Sequence, residues 1–341
     1  MKHVMSKSYR VAVVGVTGAV GELILRVLEE RQFPVRELVP VASARSAGKT
    51  LTFQGATHTV KALAPEVFDG VDLAFFAAGG SISREYAPIA AEKGALVIDN
   101  SSAFRLDPDC PLCVPEVNLE AARNPKKGII ANPNCSTTQM VVALKPIYEL
   151  GGGIKRVVVS TYQAISGAGA QAIEAFKQQS LDVAKGEAPS GTEKLKGQLA
   201  QNLLMHWTPD EASGYQEEEL KMVHETKKIF GDDSIRVTPN TVRVPVLSGH
   251  SEFLAVETNQ PLDPAAVREA LASMEGVVVM DAFANGVYPK PLDVVGRDEV
   301  FVGRIREDVG NPGGITLWVV ADNLRKGAAT NAVQIAQGLL L

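Results

Sequence analysis

Cysteine is scarce: three residues in a chain of 341 cannot make the dense disulfide framework of a small secreted scaffold. Long apolar runs are missing too. None approaches the roughly 18 residues that a membrane-spanning helix requires. The opening "MKHVMSKSYR" is polar and lacks the apolar core of a secretory signal, so a cytoplasmic location is expected. There is no excess of basic charge. With 34 Lys and Arg against 39 Asp and Glu, the formal net charge is −5, which excludes a broad nucleic-acid-binding surface. An anionic small molecule remains a suitable substrate, provided a few Arg and Lys side chains gather locally. The pair Cys110 and Cys113 forms a C-x-x-C without a second pair or a histidine cluster. Zinc requires four ligands, so no metal site is expected. The two cysteines read as small structural residues, with a disulfide or a metal as the alternative.

What is present is ordinary for a soluble globular protein: 45% hydrophobic and 21% charged residues, in a length that suits two domains. The first 150 residues alternate strand and helix patterns. "YRVAVVGV", "RELVPVAS", "VDLAFFAA", "GALVIDN" and "GIIANPN" read as strands, and the alternation predicts a parallel sheet with covered faces. Beyond them, "IKRVVVSTYQA", "SIRVTPNTVRVPV", "EFLAVETNQ", "GVVVMDA", "EVFVGRIRE" and "ITLWVVADN" read as six strands with fewer helices between them. That pattern predicts a mixed or antiparallel sheet with helices on one face. The stretch "KGEAPSGTEKLKGQ" reads as an exposed loop. The final amphipathic helix "KGAATNAVQIAQGLL" is expected to return to the first domain. The fold expected is α/β: a Rossmann-like dinucleotide-binding domain over residues 1–134 plus 324–341, and an α+β domain over 135–323.

"VAVVGVTGAVGEL" sets Gly15, Gly18 and Gly21 between a strand and a helix start. Glycines there permit a tight turn and bring backbone N–H groups close to a pyrophosphate; otherwise the segment is only a Gly-rich turn. An NAD site usually places an acid at the end of the second strand to hold the ribose 2′-hydroxyl. Here "VASARSAGKT" offers Ser43, Arg45, Ser46 and Lys49 and no acid. These groups suit a 2′-phosphate, so NADP is favoured, although a solvated basic loop reads the same way. The trailing "GKT" lacks the glycine that a P-loop needs where Ser43 stands. In "IIANPNCSTTQMV", Cys135 falls where a turn becomes a helix, between Asn134 and Ser136. The partial positive charge of a helix start favours a thiolate, which suits a nucleophile. The polar neighbours argue against a buried, inert cysteine. A nucleophile also needs a base. Of the histidines, His3, His58, His206, His224 and His250, the last sits in "RVPVLSGHSEF", seven residues after Arg243.

Taken together, "GVTGAVG", "SARSAGK", "FFAAGGSIS", "IDNSSAFR", "NPNCSTTQ", "STYQAISGAG", "EEELKMVHETKKI", "VRVPVLSGHSE" and "ADNLRKGAATNAVQIA" resemble bacterial aspartate-β-semialdehyde dehydrogenases, in order and over nearly the whole chain. The resemblance implies a homodimer and an NADP-dependent reductive dephosphorylation of L-aspartyl-4-phosphate through a cysteine thioester. It makes Cys135 the nucleophile and His250 the proton acceptor and donor. Asn134 and the Cys135 N–H become oxyanion donors, and Gln163 a contact near the thiol. Arg243 then grips the substrate's carboxylate, Arg105 and Lys221 its phosphate, and Glu218 its ammonium. Cofactor contacts fall on Gly15, Thr17, Gly18, Ala19, Val20, Ser43, Arg45, Ser46, Gly79, Gly80, Ser166, Gly167 and Asn323. From spacing alone, Glu218 and Lys221 are a solvated i,i+3 salt bridge.

Two departures from the family pattern stand out. Thr241 occupies a position that is often cysteine, and Cys110 and Cys113 replace apolar residues. The nearest rival reading is an N-acetyl-γ-glutamyl-phosphate reductase, whose acylated amine needs no ammonium contact. A catalytically inactive dehydrogenase-like binding protein should lack part of the reactive set. A cysteine hydrolase leaves the glycine turn without a purpose.

Overall fold

The computed structural model describes residues 7–205 and 208–341. His3 and His206 lie outside the described residues. The chain divides into two compact units, one ending at Pro133 and including Ala328–Leu341, the other Asn134–Gly327.

The first unit holds β1 (Tyr9–Val14), α1 (Ala19–Glu30), β2 (Val35–Ala42), β3 (Thr50–Phe53), β4 (Ala56–Thr59), β5 (Lys61–Ala62), β6 (Leu73–Phe76), α2 (Gly80–Glu92), β7 (Leu96–Asp99), α3 (Pro115–Asn118) and β8 (Ile129–Ala131). Six strands form one sheet in the order β5-β2-β1-β6-β7-β8, and every pairing in it is parallel. Central strands such as "VAVV" and "LAFF" are buried on both faces. For that reason they read as continuous apolar runs rather than as alternations. The chain runs from β1 to β2 on one side and later from β1's other neighbour, β6, outward. The reversal at β1 makes a crevice beyond the carboxyl ends of β1 and β6, the position where open α/β sheets bind ligands. A hairpin that was not expected joins β3 to β4, turning at Gln54 and Gly55, both with positive φ.

The second unit contains α4 (Cys135–Leu150), β9 (Ile154–Gln163), α5 (Ala170–Lys185), α6 (Thr192–Leu195), β10 (Leu204–Met205), α7 (Glu217–Phe230), β11 (Arg236–Arg243), β12 (His250–Thr258), α8 (Pro264–Ser273), β13 (Val277–Val279), α9 (Pro291–Val294), β14 (Val300–Glu307) and β15 (Ile315–Ala321). Its sheet runs β10-β11-β9-β12-β15-β14-β13. The β11–β9 and β13–β14 pairs are parallel and the others antiparallel, a mixed sheet as expected. α4 lies against β9, β12, β14 and β15, with α7 and α8 packed beside it. Its residues from Ser136 to Leu144 are all buried, as befits a helix enclosed by a core rather than amphipathic at a surface.

Two expectations change. The segment read as an exposed loop contains α6, and Leu195 is buried with Ile165, Phe176 and Leu199 in a small satellite core. Lysines on either side of Leu195 masked that anchor in the sequence. The strand read as "EFLAVETNQ" starts two residues earlier, at His250, which opens β12 and is fully buried. The last helix, α10 (Thr330–Leu340), belongs to the first unit. There Val333 and Ala336 join the core of Ile24, Leu28, Phe33 and Phe75, and Tyr9 Oη donates to the Leu340 carbonyl at 2.7 Å.

Candidate active site

In the first unit the candidate cofactor residues form a cradle of backbone. α1 begins after Gly18 and α2 after Gly79, and no side chain among the described residues caps either start. A Cβ on Gly15 would stand 2.6 Å from the Ala77 carbonyl oxygen, and one on Gly21 would stand 2.2 Å from that of Gly15. Only glycine allows the turn, the helix and the neighbouring strand end to approach this closely. Two open helix starts at adjacent strand ends suit a pyrophosphate, so these residues fit a dinucleotide. Thr17, Ser43 and Arg45 are exposed beside the cradle, whereas Ser46 is buried beneath its turn. Arg105 is also in this unit, where its guanidinium donates to the carbonyls of Asn132 (2.9 Å) and Asn100 (3.1 Å).

The candidate catalytic and substrate residues of the second unit come from five elements, α4, β9, α7, β11 and β12. Cys135 is the first residue of α4 and is partly exposed. Asn134 precedes it, and its Oδ1 accepts from the N–H groups of Ser136 (3.0 Å) and Thr137 (3.3 Å). Its Nδ2 donates to Glu218 Oε1 at 2.8 Å. The Asn134 amide therefore caps the helix through its oxygen and braces α7 through one of its two N–H groups. On β9, Gln163 Nε2 donates to Ser136 Oγ (2.9 Å) and to Glu218 Oε1 (3.3 Å). Glu218 also pairs with Lys221 at 3.4 Å, and Lys221 with Glu217 at 3.0 Å. The i,i+3 bridge thus exists, but its carboxylate is wired into the cysteine turn rather than left in solvent.

On β11, Arg243 donates through Nη1 to the Ala164 carbonyl at 2.6 Å. Burial lowers its pKa from the ordinary arginine value, opposed by the nearby negative charges of Cys135 and Glu218. His250 Nδ1 accepts from the Ala164 N–H at 3.0 Å. A backbone N–H can only donate, so the proton of the neutral ring sits on Nε2. A Cβ on Gly167 would stand 3.5 Å from His250 Nε2 and 3.4 Å from Arg243 Nη1, which shows that Gly167 keeps clear the space between imidazole and guanidinium. Ser166 and Asn323 exchange hydrogen bonds at 2.9 and 3.1 Å, and Asn323 Oδ1 accepts from the Gly249 N–H at 3.0 Å. That bond fixes the turn just before His250.

Two contributors escaped sequence reasoning. Glu225 is buried and its Oε2 accepts from the Asn134 N–H at 2.7 Å. It lies seven residues after Glu218, two helical turns along the same face of α7, a spacing that could have exposed it. Gly327 is the other: a Cβ there would stand 2.7 Å from that of Cys135. Cys110 and Cys113 are buried thiols rather than half-cystines.

Comparison with known proteins accords with this arrangement. Residues 10–124 match the family of the semialdehyde dehydrogenase NAD-binding domain, and residues 144–326 that of the semialdehyde dehydrogenase dimerisation domain. An aspartate-semialdehyde dehydrogenase of Aquifex aeolicus is 57% identical over 334 residues, covering 97% of this chain and 98% of the relative. The chain belongs to the aspartate-semialdehyde dehydrogenase family. Among solved structures, aspartate semialdehyde dehydrogenase II of Vibrio cholerae, complexed with ASA, superposes with a TM-score of 0.94 at 49% identity, covering 97% of this chain and 98% of that one. The family's Candida albicans member, solved with NADP, gives a TM-score of 0.76 at 26% identity over 97% of this chain and 98% of that one. Family membership makes the fold an N-terminal nucleotide-binding unit with a C-terminal dimerisation domain. No helix among the described residues is long and apolar enough to cross a membrane.

Proposed function

We propose that the chain is an NADP-dependent aspartate-semialdehyde dehydrogenase that reduces L-aspartyl-4-phosphate to the semialdehyde through a thioester on Cys135, in the biosynthesis of lysine, methionine and threonine. The observation that carries this reading is the Glu218 carboxylate, bonded to both Asn134 and Gln163 on either side of the cysteine turn. An ammonium-recognising group so placed suits an α-amino substrate and disfavours an N-acetylated one.

In this reading the Cys135 thiolate is favoured by its position at the start of α4 and by the Arg243 charge. It attacks the acyl carbon; the carbon–oxygen bond to phosphate breaks, and a thioester remains. Bound NADPH supplies the hydride that reduces it. His250 presents Nε2–H to the developing oxyanion, joined by the Cys135 backbone N–H. The carbon–sulfur bond then breaks, releasing the aldehyde and restoring the thiolate. For His250 to act as a base it must exchange its Ala164 contact, since its ring proton already occupies Nε2. Arg243 meets the α-carboxylate with its planar fork. A substrate ammonium competes with Lys221 for Glu218 Oε2 and so turns the lysine toward phosphate, the role also given to Arg105.

The exposed Ser43 and Arg45, with no acid beside them, support NADP over NAD. The outer face of the seven-stranded sheet carries Tyr162, Phe253 and Trp318 around a groove of about 500 Å³, a surface suited to the second copy in a homodimer. The three thiols suit the reducing cytoplasm. The deciding assay follows NADPH formation from aspartate semialdehyde, NADP and phosphate. Strict dependence on phosphate is expected. Faster turnover with N-acetylglutamate semialdehyde would overturn the substrate assignment.

A further inference from the structure

The inward face of the second unit's sheet carries one polar row more than the proposed chemistry uses. The outermost row includes Arg243, in register with Gln163, and His250, in register with Ala321. Two residues deeper, Thr241 faces Thr161, Thr161 faces Glu252, and Glu252 faces Val319. One row deeper still, Pro239, Val159, Leu254 and Leu317 are apolar. Thr161, Glu252 and, above them on α4, Gln139 are completely buried, and none belongs to the substrate set.

As an ionised group Glu252 is badly placed. Both its carboxyl oxygens, Gln139 Oε1 and Thr161 Oγ1 find no hydrogen-bond partner among the described residues. The Gln139 amide is within reach of it, its Oε1 lacking a donor, and the Thr161 hydroxyl is not spent on either carboxyl oxygen. Around Glu252 stand Gln139 from α4 (with Cys135 one turn nearer the helix start), His250 two residues along its own strand, Thr161 from β9 and Val319 from β15. Burial raises its pKa well above the ordinary carboxyl value, opposed by the Gln139 amide, and no charged neighbour acts on it. A single proton resolves the conflict, because a carboxylic acid has an O–H to donate to Gln139 Oε1. Gln139 Nε2 in turn donates to the His250 carbonyl at 3.4 Å.

We propose that Glu252 is a positioning residue, held as a neutral carboxylic acid whose O–H donates to Gln139 Oε1 and so ties the helix presenting Cys135 to the strand presenting His250. The inference rests on the reading of those two residues as the reactive pair, but two of its tests need no substrate.

The sign of the stability effect follows from linkage. Below the ordinary value of 4.5 folded and unfolded chains both hold the proton. Above it the unfolded chain releases the proton while the folded chain keeps it, so Glu252 costs stability increasingly as pH rises toward its raised folded value. Glu252→Gln removes that cost and keeps a donor. Its Tm should match that of the parent near about pH 4 and exceed it progressively as the pH rises above about 5. A Tm difference independent of pH, or a Gln variant that loses stability as pH rises, overturns the neutral acid. A protonated-carboxyl C=O band in the infrared difference spectrum at neutral pH, absent from the Gln variant, is the second expected result; its absence from the parent also overturns the idea. In turnover, Glu252→Leu should lower kcat about tenfold with KM within about twofold, the effect of one lost positioning bond, and slow Cys135 alkylation by iodoacetamide. Glu252→Gln should recover most of kcat. A Leu variant with parental kcat and alkylation rate, or a Gln variant as slow as Leu, refutes the positioning role.

Discussion

The chain contains two helix starts with opposite designs. α1 begins at Gly18 without a side-chain cap, so no side chain of its own cap occupies its first N–H groups. α4 begins at Asn134, whose Oδ1 occupies the N–H groups of Ser136 and Thr137, and sets Cys135 at the first helical position. Both starts carry the same partial positive charge. At α1 that charge is offered to a ligand, which requires the removal of side chains. At α4 it acts on the protein's own sulfur, which requires a side chain fixed in place. Binding by backbone is therefore written in glycine spacing, while chemistry at a helix start is written in its cap and in what braces the cap.

Three substitutions would break or sharpen this contrast, beginning with the largest effect. Cys135→Ala should lower kcat by about 10⁴-fold or more, as loss of a covalent nucleophile does, and leave the Kd for NADP in calorimetry unchanged. Residual turnover within about tenfold of the parent would show that α4 does not carry the nucleophile. Arg45→Ala acts on the unit of α1. It should reduce the ratio of kcat/KM with NADP to that with NAD by about tenfold, the loss of one charge-assisted bond to a 2′-phosphate. An equal decline with both cofactors would remove that residue from the phosphate site. Asn134→Ala should cost about 1 kcal/mol through the lost cap, seen as a Tm lower by about 2–4 °C, together with slower thiol alkylation. A Tm decrease without any change in alkylation would mean that the cap supports the helix but does not place the sulfur.

Much of the first unit was legible because its signals are local. "VAVVGVTGAVGEL" contains strand, turn and helix start within thirteen residues, and burial on both sheet faces forces an unbroken apolar strand. The β3–β4 hairpin was missed because its turn, Gln54 and Gly55, lacks the usual Asn-Gly or Asp-Gly signature. In the second unit Cys135 was legible from its helix start, whereas the status of His250 was not. The strand read from the sequence began at Glu252, but pairing with Ala321 draws His250 into β12. Asn134 shows the same limit. Its residue type suits a cap and an oxyanion donor equally, and its bond to Glu218 is visible only in the fold. Glu225 and Gly327 act on the cysteine turn from 91 residues away for Glu225 and from the far end of the second unit for Gly327. Glu225 had a helical spacing that could have revealed it; Gly327 had none.

The sequence by itself determined the order of elements, the glycine cradle, the thiol at the start of a buried helix and the resemblance that named a reaction. Each depends on neighbours along the chain or on residue type. The tertiary structure alone decided which nitrogen of His250 bears the proton, that Asn134 caps α4 and braces α7, and that a glutamate lies buried one row beneath His250. Those outcomes depend on hydrogen-bond partners supplied by distant strands and helices, and no periodicity along one segment records who stands across the sheet.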